Sequence, residues 1–188
     1  MQARNLFDAA LRLEPNLVFA LRSRSTILDF ENDVDPHPDR ERIVREMDDL
    51  TSRAIKLDAT DPLVWDSRRL ALADGGRWKA ALEASDQAIR LDPYSPHGYV
   101  WKAWTTIMTG RPGEALTVIE RAMALNPDNI ADAMRVACEA NLLLGREDDA
   151  VVTCEKAAGV TIPRQSRGHS ECEPLEAAGL AQWVGASR

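Results

Sequence analysis

Three groups of side chains in this sequence have the types and spacing that chemistry requires. The first is acidic. Asp29-Phe-Glu-Asn-Asp-Val-Asp-Pro-His-Pro-Asp39 sets carboxylates at 29, 31, 33 and 35, an alternation able to wrap a calcium ion. A calcium loop also needs a glycine at its sixth position and a bidentate glutamate at its twelfth. Val34 and Arg40 stand there instead, and Pro36 and Pro38 mark irregular backbone, so a solvated acidic loop is expected over 30–39. The second group, His169, Glu171 and Cys172, has metal-binding types but no second pair to complete four ligands. The third is Cys138, Cys154 and Cys172. An odd count with no CxxC pair predicts reduced, mostly buried thiols. His37, His97 and His169 fall on separate segments, and there is no GxSxG, phosphate-cradling glycine loop or HExxH. With no base beside a nucleophile and no acid–base pair, the chain is expected not to be an enzyme and to need no cofactor or metal.

Composition narrows the partners. Hydrophobic residues make up 45% of the 188, enough to bury a core. The 23 basic and 30 acidic residues leave a net charge of −7. No basic stripe is present to displace counterions from phosphates, which argues against nucleic acid. No apolar run approaches the ~18 residues of a membrane span, and the stretch from Met1 to Leu13 is amphipathic, unlike a signal peptide. The sequence reads as that of a cytoplasmic protein with no membrane partner.

The elements that position these residues follow from a repeat. Arg77 to Pro93 (RWKAALEASDQAIRLDP), Arg111 to Pro127 (RPGEALTVIERAMALNP) and Arg146 to Val160 (REDDAVVTCEKAAGV) align, each preceded by a glycine: Gly76, Gly110 and Gly145, at intervals of 34 and 35. Ala81, Ala115 and Ala150 form one column, and Ala88, Ala122 and Ala157 another, which Ala54 and Ala10 extend backwards. Small residues recurring near 34 predict antiparallel helix pairs stacked in a row. An alanine where helices cross lets their backbones approach, a glycine ends the first helix, and a proline stops the second. Helices are expected near 3–13, 16–29, 39–57, 61–74, 77–91, 95–109, 111–125, 128–144 and 146–158.

At these residues the chain resembles the tetratricopeptide repeat family. The repeat from Pro96 to Asn129 carries the pattern in Tyr99, Ala103, Gly110, Ala115, Ala122 and Pro127. The repeat from Pro62 to Ser95 carries it in Trp65, Gly76, Ala81, Ala88 and Pro93. It departs at Arg69, where a small residue is usual and looser packing is expected. The repeat before it has Met47 for alanine and Ala59 for proline. The resemblance covers roughly 3–158 and implies an all-α, right-handed superhelix of about four helical hairpins over 1–159. Residues 160–188 lose the period and are expected to form a flexible tail, in which Glu173–Val184 has the pattern of a short capping helix. The chain opens on a second-helix motif, leaving Leu6, Phe7, Leu11 and Leu13 without a preceding partner. A fragment of a longer protein, or a homodimer through that helix, is the expected consequence.

The family binds partners on the inner wall formed by first helices. Carried onto this sequence, the wall includes His97, Val100, Trp104, Ile107 and Met108 with Trp101 beside them, and Leu63, Asp66, Leu70, Ala73 and Asp74. None is the lysine or asparagine of the family's carboxylate clamp. The resemblance therefore implies a scaffold that takes a protein or peptide partner on a partly apolar groove. Trp101 and Trp104 suit either that use or packing against neighbouring helices. The LDP and LNP endings and the GRPxEAL turn also look like the C-terminal regions of bacterial adenylate or guanylate cyclases and transcriptional activators. On that resemblance the chain is a regulatory or assembly segment of a signalling protein.

Overall fold

The computed structural model describes residues 2–34, 39–127 and 130–159. Among them are nine helices and no strand: α1 (Gln2–Leu13), α2 (Val18–Val34), α3 (Arg40–Leu57), α4 (Pro62–Asp74), α5 (Trp78–Leu91), α6 (Pro96–Met108), α7 (Pro112–Leu125), α8 (Ala131–Leu143) and α9 (Glu147–Ala157). Each helix packs on the next, and α2 and α6 also lie against α4 and α8. The result is a solenoid of four hairpins, α2–α3, α4–α5, α6–α7 and α8–α9, preceded by α1.

The glycine beat has a mechanical cause. Gly76, Gly110 and Gly145 hold φ of 68°, 76° and 67°, the left-handed region that costs glycine nothing. The following arginine amide in each case returns to the last turn of the first helix: Arg77 N–H to Leu72 O, Arg111 to Thr106 and Arg146 to Asn141. This closing bond satisfies an orphan carbonyl and reverses the chain. At the other ends, Pro62, Pro96 and Pro112 sit in the first helical turn, where a missing N–H costs nothing. Trp65 Nε1 donates to Ala59 O at 2.9 Å, and Tyr99 Oη to Pro93 O at 3.2 Å. In these two repeats the early aromatic thus ties the first helix to the turn before it.

Most of the alanine columns are sealed: Ala54, Ala81, Ala88, Ala115, Ala122 and Ala150 are buried, while Ala10 and Ala157 are half-buried. Larger side chains fill the space around them in clusters. One gathers Leu21, Leu28, Met47, Leu50 and Val64 of α2–α4, another Val100, Ile107, Ile119 and Val136 of α6–α8.

Three expectations need correction. The acidic stretch is helical through Val34, because α2 is long enough for Leu28 to enter the core and for Glu31 to meet Arg4 of α1. Residues 35–38 lie outside the described residues, as do Cys172, the 160–188 tail and its capping helix. Cys138 and Cys154 are not reduced buried thiols; they form a disulfide between α8 and α9, both half-buried. The unpartnered face of α1 is partly covered. Leu11 packs on the α2–α4 core, and Phe7 meets the Phe19 ring edge-to-face at 5.7 Å. Leu6 and Leu13 stay 69% and 88% exposed.

Candidate partner-binding seam between α4 and α6

The first helices of neighbouring hairpins do not meet in the same way along the array. Those of the first two hairpins, and of the last two, approach backbone to backbone, whereas α4 and α6 meet through long side chains. The residue responsible is Arg69. It is 2% exposed. Its guanidinium lies over the Trp101 ring, 4.8 Å from the centroid, and its Nε donates to Asp66 Oδ1 at 3.0 Å. The helices stand apart here, in keeping with its size at a small-residue position, and it fills the gap with a cation–π contact and a charge-assisted hydrogen bond. Its Nη1 is buried without a hydrogen-bond partner.

Asp66 also faces His97 of α6, with Oδ2 4.0 Å from Nδ1. The indole N–H of Trp101 donates to His97 Nε2. His97 and Trp101 pack edge-to-face at 5.5 Å, Trp101 and Trp104 at 6.3 Å, and Trp104 and Trp78 of α5 at 6.3 Å. Four rings therefore run in a chain from the seam to the start of α5. Edge-to-face geometry sets the positive rim of one ring against the negative face of the next.

Of the residues predicted for the groove, Asp66, His97 and Trp101 come together, and Trp104 joins them through the ring chain. His97 is exposed, and Trp101 and Trp104 are half-buried. Val100 does not line a groove: it is buried in the α6–α8 core. Leu70 packs instead against the α2–α4 cluster, and Met108 is half-buried in the last turn of α6. Two members were missed. Trp78 had a signal, an aromatic directly after the Gly76-Arg77 turn. Arg69 was visible as a departure from the repeat, but its pairing with a tryptophan on the next hairpin was not.

A second polar joint lies on the other side of α4. Asp48 of α3 binds Arg68 of α4 and accepts from Arg77 Nη2 at 2.7 Å. Burial on its own would raise the Asp48 carboxyl, but the Arg77 hydrogen bond and the charges of Arg68 and Arg77 outweigh it and hold the pKa below its ordinary value. Arg24 of α2 is buried and bridges Asp8 of α1 to Glu46 of α3. Among the described residues no three His, Cys, Asp or Glu side chains gather as a metal site, and no helix is long and apolar enough to cross a membrane.

No family model matches the sequence, and no curated protein aligns with it. Solved structures do. The chain superposes on TTC0263, a thermophilic TPR protein of Thermus thermophilus, with a TM-score of 0.67 at 17% identity, covering 98% of this chain and 88% of that one. The fold is that of a tetratricopeptide-repeat solenoid. The array is also similar to MamA, with a TM-score of 0.60 at 19% identity over 84% of this chain and 85% of that one. YrrB, described as a TPR protein with an unusual peptide-binding site, gives a TM-score of 0.56 at 15% identity over 81% and 75% of the two chains.

Proposed function

We propose that the array is a protein-interaction scaffold that holds a partner peptide or helix along the seam between α4 and α6. The observation that carries this reading is the chain of four rings ending at exposed His97, backed by the buried Arg69 guanidinium. Partly exposed tryptophans on a rigid wall present large apolar area at small entropic cost, the usual basis of an interface hot spot. His97 adds a polar handle that fixes a ligand's register. The peptide-binding site named for YrrB, a similar array, is in keeping with it.

The test is a peptide selected against the whole chain, with its affinity for wild type and for Trp101→Ala/Trp104→Ala measured by calorimetry. A loss of at least about tenfold is expected on the hot-spot reading; equal affinity ends it. Outward-facing Leu6 and Leu13 favour a second reading, association of two copies through α1. Leu6→Lys/Leu13→Lys should then lower the mass seen by sedimentation, and a wild type already monomeric rules it out. The likeness to signalling proteins adds that such a scaffold serves as a regulatory segment, which the coding sequence upstream of Met1 would test.

A further inference from the structure

The last described hairpin differs from the others by a covalent feature. Cys138 of α8 and Cys154 of α9 are bridged, their Cα atoms 5.0 Å apart, within the ordinary range for a disulfide. Thirty-five residues earlier, the interval that separates Gly110 from Gly145, these positions are Ala103 of α6 and Ile119 of α7. Ala103 and Ile119 are sealed in the core that α6 and α7 build with α8. The two cysteines thus occupy the face on which a next first helix would stack. Among the described residues no helix follows α9, and both cysteines are half-buried where their counterparts are sealed.

We infer that Cys138 and Cys154 form a reversible redox site, oxidised by small-molecule disulfides and reduced by small thiols, that locks α9 to α8 or frees it. With glutathione disulfide as oxidant, one cysteine thiolate attacks a glutathione sulfur, forming a mixed disulfide and releasing one glutathione thiolate. The second cysteine thiolate attacks the protein sulfur of that mixed disulfide. The Cys138–Cys154 bond forms as the second glutathione thiolate leaves. The protein loses two electrons and two protons, and the oxidant becomes two thiols. Both cysteines are half-buried rather than sealed, and such exchange requires a thiol that the reagent can reach.

The two helices respond differently because their packing differs. α8 buries Ala133, Val136, Ala137 and Ala140 against α6 and α7. α9 has Ala150 as its buried residue among those described and depends far more on the bridge. Closing a 16-residue separation removes loop entropy from the opened state, so oxidation acts mainly on the opening of α9.

The full chain would be equilibrated in glutathione buffers of graded composition, its free thiols alkylated and its linked peptides identified by mass spectrometry. Amide hydrogen exchange would be read on the same samples. The expected result is a Cys138–Cys154 link that forms and reverses across the series. On reduction, α9 amides should exchange on the order of 100-fold faster, with those of α6 and α7 unchanged. A Cys138→Ala/Cys154→Ile variant, which copies the α6–α7 residues, should stay folded and lose all redox dependence. A link from either cysteine to Cys172, a bond that ignores glutathione, or equal α9 exchange in both states would overturn the proposal.

Discussion

At the scale of single residues, Arg69 turns a repeat consensus into a testable conflict. The family pattern favours a small side chain there, yet the gap between α4 and α6 is already set to the size of an arginine stacked on Trp101. Arg69→Ala should therefore destabilise the array by about 2 kcal/mol in urea unfolding, through a cavity and a half-stranded Asp66. A neutral result would mean the seam closes without strain. Asp48→Asn should cost about 1 kcal/mol at neutral pH, a modest figure because the network is partly solvent-screened. The Asp48 carboxyl has a depressed pKa in the folded protein, below its ordinary 3.8. Its contribution is complete above the unfolded value and disappears as pH falls through the folded one. Stability curves of wild type and Asp48→Asn should accordingly converge as the pH falls below the ordinary carboxylate value.

At the scale of elements, the turns separate two kinds of glycine. Gly110 has φ of 76° and open space where a Cβ would go, so Gly110→Ala should lose about 1 kcal/mol through backbone strain. Gly113 lies inside the first turn of α7 with equally open surroundings, and Gly113→Ala should gain about 0.5 kcal/mol by helix propensity. Thermal melts of the two variants should move in opposite directions. The turns, prolines and alanine columns were legible in the sequence because each meets a strict local demand of backbone or close approach. The end of α2 was not, since its acids and the prolines beyond them carry the marks of a loop. What extends the helix is tertiary: α1 lies alongside and supplies Arg4. The disulfide was illegible for a similar reason, because a separation of 16 becomes a 5.0 Å approach only after the hairpin has closed. In the groove, the family resemblance proposed His97 and Trp101, which the structure brings together beside Asp66. It also proposed Val100, which the inner side of the same helix claims for the core.

At the scale of the molecule, the core is a series of clusters. The α2–α4 and α6–α8 clusters are separated by a smaller one of Leu72, Ala73, Ala81 and Ala84, and Trp104 packs against both this middle group and the α6–α8 cluster. Stability in such a stack is a sum of local terms and nearest-neighbour couplings. Trp104→Ala should weaken the joint more than either half, broadening the far-ultraviolet circular dichroism transition in urea and lowering its apparent slope. An unchanged slope with a shifted midpoint would instead indicate one cooperative unit.

The ring chain has an optical consequence. Trp78, Trp101 and Trp104 are close enough for their excited states to interact, and they stand on the wall where a ligand would lie. A peptide settling there would displace solvent from the indoles and alter the colour and yield of their emission. Occupancy of this seam can be followed by the protein's own light, without a label.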